Sequence, residues 1–261
     1  MFELLLVLLA IGFHLTSSSA QVKEIKLAQP SNIFILAGQS NMAGRGGVSG
    51  GVWDGNVPPE CQSNLSILRL SANLTWEEAK EPLHKDIDVN KTNGVGPGMS
   101  FANSVLRRDP SLGRIGLVPC AIGGTKISQW ERGTFLYNQL INRANVAVEG
   151  GGIIIAMLWY QGESDTINKK DALSYKKNLE TFLTNVRADL RFPSLPIIQV
   201  ALASGEGLFI DIVRQAQLGI KLPNVRCVDA KGLQLQKDDL HLTTESQVKL
   251  GQMLAGAFFE F

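Results

Sequence analysis

Short stretches that are apolar almost without interruption limit the fold of this chain more than any other feature: Ile33 to Ala37, Ile115 to Pro119, Ile153 to Tyr160, Ile197 to Leu202 and Val225 to Ala230. A strand with one wet face alternates apolar and polar residues. A strand of a parallel sheet covered by helices on both faces does not alternate, and these runs are of the second kind. Helical spacing fills the intervals. Leu179, Phe182, Leu183, Val186 and Leu190 share one face, while Lys176, Lys177, Glu180 and Arg187 share the other. Leu250, Leu254, Ala257 and Phe258 repeat the pattern in a last helix, whose start is expected at Thr244 and Gln247, in capping-box spacing. Strands alternating with helices predict a three-layer α/β/α sandwich around a doubly wound, mainly parallel, five-stranded sheet. Reactive groups in such sheets collect at the carboxyl ends of the strands.

Residues 45–96 break the alternation. Gly46, Gly47, Gly50, Gly51 and Gly55 are interleaved with polar residues, over a length far beyond a simple strand-to-helix connection. This stretch reads as an excursion from a single domain spanning 21–261, carrying one short strand (Ile67 to Leu70) and bordering the active-site rim. Upstream, Leu4 to Phe13 are nearly all apolar and Ser17-Ser18-Ser19-Ala20 follow, as in a secretory signal peptide over 1–20. That apolar run of about ten residues is too short for a bilayer core, which needs about 20, so no membrane insertion is expected. Glu3 departs from the usual positive start, and a buried N-terminal strand is the competing reading. Sequons at Asn64, Asn73 and Asn90 support secretion and mark candidate glycosylation sites. The net charge is +1 and the basic residues are scattered, which leaves no stripe for nucleic acid or an anionic membrane. Cys61, Cys120 and Cys227 permit at most one disulfide and resemble no metal-ligand spacing. Cys120 and Cys227 lie in apolar runs and are expected to be buried thiols. The pairing of the cysteines and the oligomeric state stay open.

Histidine is scarce, and that narrows the chemistry. His14 goes with the leader; His84 sits in the polar loop Glu81-Pro82-Leu83-His84-Lys85 and is expected to be solvated. His241 closes the tetrapeptide Asp238-Asp239-Leu240-His241. An Asp three positions before a His can place its carboxylate on Nδ1–H, fix the tautomer and leave Nε2 as a base. Asp239 should point elsewhere. The nucleophile expected opposite is Ser40, which lies just past the strand Ile33 to Ala37 in Gly38-Gln39-Ser40-Asn41-Met42-Ala43-Gly44. A serine there is more commonly a helix cap, but this one has flanking glycines and a His–Asp pair available as its base. The glycine-rich stretch 44–51 lacks the Lys-Ser/Thr ending of a phosphate loop.

Gly38-Gln39-Ser40-Asn41-Met42 resembles the first block of SGNH hydrolases, in the carbohydrate-esterase branch that includes sialate O-acetylesterases and acetylxylan esterases. Gly123-Gly124-Thr125 with Gln129-Trp130 resembles its glycine block, Trp159 to Asp165 its third block, and Asp238 to His241 its fourth. The resemblance implies a flavodoxin-like SGNH fold and a cofactor-free, metal-free secreted esterase acting on acetylated carbohydrate. Ser40 would be the nucleophile, His241 the general base and Asp238 its orienter. It also implies an oxyanion hole from the Ser40 N–H, a glycine N–H (Gly123, with Gly124 close behind) and a side-chain amide. In the third block Gln161 stands where the superfamily has Asn, and its amide is expected to fill that role. Gln39, Trp130 and Glu163 are expected to bind substrate or to support loops, and Arg132 to join Trp130 at an acyl or sugar wall, although core packing accounts for Trp130 nearly as well. Glu163 and Asp165 are expected to hold the loop bearing Gln161 by hydrogen bonds, with a glycosidase carboxylate pair as the alternative. A lipase-type α/β-hydrolase needs a G-x-S-x-G elbow, which Met42 interrupts. A glycan-binding module on the same fold would have no need of Ser40, Asp238, His241 and Gln161 together.

Overall fold

The computed structural model describes residues 29–261. The leader expected at 1–20, and His14 within it, lie outside them. In chain order the main elements are β1 Asn32–Gly38, α1 Ser40–Ala43, β2 Val48–Ser49, β3 Val52–Trp53, β4 Ile67–Leu70 and β5 Trp76–Glu78. Then come α2 Pro97–Arg108, β6 Ile115–Pro119, α3 Phe135–Val148, β7 Ile153–Tyr160 and α4 Lys169–Asp189. The chain finishes with β8 Ile197–Ala201, α5 Ile210–Leu218, β9 Val225–Asp229 and α6 Thr244–Phe258.

The central sheet has seven strands in the order β5-β4-β6-β1-β7-β8-β9, and all neighbours are parallel except β4 and β5. The five expected strands are present, and the excursion adds the other two. Ile67–Leu70 is buried at every position because it lies against β6. Trp76–Glu78 carries no apolar run and is only half-buried, so nothing in its pattern marks a strand. A side chain secures it. Arg69 is 1% exposed and sends Nε to Glu77 Oε1 (2.8 Å) and both terminal nitrogens to the Asp86 carboxylate (2.7 and 2.8 Å). Two-pronged pairing of this kind fixes geometry as well as charge.

The opposite edge corrects a second expectation. Only Val228 of β9 is buried, because this strand has a neighbour on one side alone, and Cys227 is exposed. Cys61 and Cys120 are buried, and all three cysteines are free thiols.

Aromatic contacts define the layers. Phe34 of β1 meets Phe101 of α2 and Phe258 of α6 edge-on, with centroids 4.8 and 5.1 Å apart, which puts α2 and α6 on one face. On the other face Trp159 of β7 packs on Phe182 of α4 (4.5 Å) and on Trp130 (5.2 Å). Burying such a ring contributes roughly 1.5–3 kcal/mol. The cap of α6 falls one residue before the expected position: the Thr243 hydroxyl, not that of Thr244, accepts from the Ser246 N–H at 3.2 Å. Among the described residues no helix is long and apolar enough to cross a membrane.

The order reverses at β1, whose neighbours β6 and β7 lead to opposite edges. Such a switch point opens a crevice at the carboxyl ends of the strands.

Candidate active site

β1 enters that crevice through Gly38, whose φ of +133° suits glycine alone; a Cβ there would also strike the Tyr160 peptide. Ser40 then opens α1 at 5% exposure. Its Oγ lies 3.0 Å from His241 Nε2, and His241 Nδ1 lies 2.6 Å from Asp238 Oδ2. The serine comes from the centre of the sheet and the histidine from the loop before α6, so the expected trio is brought together from 201 positions apart.

The loop is built around the carboxylate. Asp238 Oδ1 accepts from the Leu240 and His241 N–H groups (3.0 and 2.9 Å), leaving Oδ2 for the ring. Asp239 takes φ +53° and is exposed, away from the pairing. Partial burial works against ionisation of Asp238. The His241 N–H, the His241 ring and the Leu240 N–H outweigh it and hold this carboxyl below the usual carboxylate range. With Nδ1–H committed to Asp238, Nε2 presents its lone pair to the Ser40 hydroxyl.

Asn41, quoted in the first block without a role, ties the two halves together. Its Nδ2 donates to Glu163 Oε1 (2.8 Å) and to the Leu240 carbonyl (3.3 Å), while its Oδ1 accepts from the Leu242 N–H (3.0 Å). The residues on either side of His241 are thereby fastened to α1. Gln247 Nε2 donates to the Asn41 carbonyl (3.1 Å), which explains why this polar residue is wholly buried in α6. Burial pushes the Glu163 carboxyl up to about 7, against the hydrogen bond from Asn41. Gln39 Oε1 accepts from the Gly162 N–H (3.2 Å), so Gln39 and Glu163 both support loops. Glu163 and Asp165 are 0% and 1% exposed, closed off from any sugar a glycosidase pair would act on.

Gln161 is not an oxyanion donor in this structure. It is wholly buried, and Nε2 donates to Asp165 Oδ2 (2.6 Å) and the Thr125 carbonyl (2.7 Å), with Gln39 Oε1 at 3.3 Å. An amide has only two N–H groups, and the added methylene relative to Asn carries both to these acceptors. Gln161→Ala is therefore expected to cost stability, about 1–3 kcal/mol for the buried acceptors left bare. The kcat of the folded fraction should stay within about tenfold, short of the 10²–10³ that an oxyanion donor supplies. Denaturant unfolding read beside kcat checks this. An unchanged midpoint with kcat down a hundredfold would restore the oxyanion role.

For Trp130 the loop-supporting alternative is the one the geometry fits. It is 0% exposed, and its Nε1 donates to Thr125 Oγ1 at 3.1 Å, so it braces the glycine block from the core instead of facing substrate. Arg132 pairs with Asp189, away from Ser40. His84 is 1% exposed, not solvated, and burial pushes its ring down to about 3, which keeps it neutral. Its carbonyl accepts the Ile87 and Asp88 N–H groups at 2.9 Å, so the polar-looking loop turns inward as a tight turn.

Of the two expected glycines, Gly123 donates its N–H to Asp88 Oδ2 at 3.2 Å, whereas Gly124 stands at φ +72° with open space around its Cα. A cavity of about 480 Å³ lined by Val48, Ser49, Gly50, Gln236, Lys237 and Asp238 opens beside the carboxylate. Another of about 430 Å³, lined by Ile122, Thr125, Gln129 and Phe135 among others, flanks the glycine block. Val48, Ser49 and Gly50 of the 45–96 stretch line the first of these cavities beside Asp238. Among the described residues no group of three or more His, Cys, Asp or Glu could hold a metal ion.

Residues 30–260 match the family described as carbohydrate esterase, sialic acid-specific acetylesterase. The chain is 60% identical over 236 residues to "Probable carbohydrate esterase At4g34215" of Arabidopsis thaliana, covering 88% of this chain and 90% of that protein. The X-ray structure of the Arabidopsis protein aligns with a TM-score of 0.87 at 59% identity, over 88% of this chain and 98% of that one. NanS shares the fold at 16% identity, with a TM-score of 0.72 over 90% of this chain and 98% of its own. So does XAC1771, a carbohydrate acetylesterase from Xanthomonas citri, at 20% identity and a TM-score of 0.59, over 85% of this chain and 55% of that one.

Proposed function

The chain belongs to the carbohydrate esterase family of sialic acid-specific acetylesterases, and on that premise we propose that it removes acetyl groups from carbohydrate by a Ser40–His241–Asp238 double displacement. Membership makes it a carboxylic ester hydrolase of the carbohydrate acetylesterase type. The observation that carries the finer reading is the continuous chain of contacts, 3.0 Å from Ser40 Oγ to His241 Nε2 and 2.6 Å from His241 Nδ1 to Asp238.

In the proposed reaction His241 Nε2 takes the Ser40 proton as Oγ attacks the acetyl carbonyl. Asp238 stabilises the imidazolium that forms. The oxygen that gains charge faces the Ser40 N–H and the Gly124 N–H, the Gly123 N–H being given to Asp88. At the start of α1 the Ser40 N–H has no carbonyl of its own helix to bond. Collapse expels the sugar oxygen, which His241 protonates. Water, activated by the same Nε2, then attacks the acetyl-Ser40 carbonyl and acetate leaves. The two cavities flanking the site suit a substrate that extends past the ester on either side.

The signal-peptide pattern over 1–20 together with exposed sequons at Asn64, Asn73 and Asn90 supports a secreted, glycosylated form of the enzyme. Acetate release from O-acetylated carbohydrates by the purified protein tests the function as a whole.

A further inference from the structure

Gly123 marks a point of close approach. A Cβ there would lie 2.5 Å from Arg45 Nη2, 3.1 Å from Asp88 Oδ2 and 3.4 Å from Ser40 Cβ. Ser40 and Arg45 from one stretch of chain and Asp88 from a remote one thus converge with Gly123 on the space left by one missing side chain, beside the nucleophile. Arg45 and Asp88 form an ion pair with side-chain exposures of 6% and 2%. Arg45 Nη1 also donates to Asn93 Oδ1 (2.8 Å) and the Gly44 carbonyl (2.9 Å), and Asp88 Oδ2 accepts from the Gly123 N–H (3.2 Å). The excursion supplies Arg45, Asp88 and Asn93, and here it reaches the acyl site.

Acyl transfer at Ser40 raises negative charge on an oxygen in this same neighbourhood. A bare carboxylate about 5 Å away, at an effective dielectric of about 20, would slow that step by about 10²-fold. Arg45 cancels the opposing charge. We propose that Arg45 and Asp88 are a charge-balanced positioning pair for the oxyanion site: Asp88 fixes the Gly123 peptide, and the Arg45 guanidinium keeps the site favourable to the developing charge. The inference rests on Ser40 being the nucleophile. It gives a catalytic reason for burying a pair whose desolvation makes it a weak source of stability.

The test measures kcat and KM for an aryl acetate, together with thermal unfolding, for R45K, R45M, D88N and R45M/D88N, with active sites counted by a fluorophosphonate. R45M should lose about 10²-fold in kcat with KM within about threefold, because the pair acts only as charge develops. R45K should retain more activity than R45M. D88N should lose about tenfold or less, and the double variant should recover about tenfold over R45M, since the uncompensated carboxylate is gone. A purely structural pair would change unfolding and the titratable fraction, not kcat per titrated site. R45M within fivefold of wild type, or a double variant no faster than R45M, overturns the inference. Should R45M not fold, the double variant carries the test, and a kcat per site equal to wild type overturns it. A wild-type protein that fails to hydrolyse the ester, or S40A that still does, overturns the esterase reading itself. Hydrolysis by wild type with R45M unimpaired overturns only the role of Arg45 and Asp88.

Discussion

Ser40→Ala and His241→Ala are each expected to lower kcat for a short-chain aryl acetate by about 10⁴-fold or more, the usual size when a member of such a unit is removed. In the proposed reaction Ser40 Oγ attacks and His241 Nε2, 3.0 Å away, takes its proton. Neither truncation should unfold the protein. Ser40 sits in a turn held by the Gln39 N–H to Tyr160 carbonyl bond (2.8 Å), and His241 lies in a loop pinned on both sides by Asn41. Circular dichroism and thermal unfolding should therefore match wild type. Because the residues act as one unit, the S40A/H241A double variant should be no slower than S40A alone. Retention of more than a tenth of wild-type kcat by either single variant would remove that residue from the mechanism.

Asp238→Asn should be nearly as damaging, by about 10⁴-fold, although it changes one atom and keeps the shape. The amide can still accept the Leu240 and His241 N–H groups through its oxygen, so the turn survives. Its NH₂ then faces His241 Nδ1 at the position of Oδ2, 2.6 Å from the ring. Nδ1 must become the acceptor, the proton moves to Nε2, and the base is lost to the wrong tautomer. Asp239→Asn, at an exposed residue outside the pairing, should stay within about threefold. The reverse ranking in kcat would show that Asp239 is the working carboxylate. A stability effect accompanies the first substitution. The Asp238 carboxyl is held below its ordinary range when folded, so its contribution is present at neutral pH and fades as pH falls through the depressed value. The variant should lack that acid-sensitive portion.

The central sheet and the grouping of Ser40, His241 and Asp238 were legible for a local reason. Runs such as Ile115–Pro119 announce burial on both faces through composition alone, and Asp238 and His241 lie within one turn of chain. Ser40 was legible because it ends a buried strand next to glycines. What escaped depends on partners remote in sequence. β5 is a strand because Arg69 grips Glu77, not because Trp76, Glu77 and Glu78 prefer to be one. Whether the Gln161 amide faces the crevice or the core is decided by the Thr125 carbonyl, 36 positions away. His84 looks solvated among charged neighbours, yet the turn that carries it packs inward. Arg45 and Asp88 are 43 positions apart in a stretch without periodicity, and only the fold shows that they meet.

The most direct test of the account is acetate release from O-acetylated sialosides and O-acetylated plant polysaccharide, measured for wild type and S40A at equal folded concentration. The account predicts that wild type liberates acetate from at least one of these carbohydrates while S40A releases none above background. Acetate release by S40A at the wild-type rate, or no release by wild type from any of them, would contradict it.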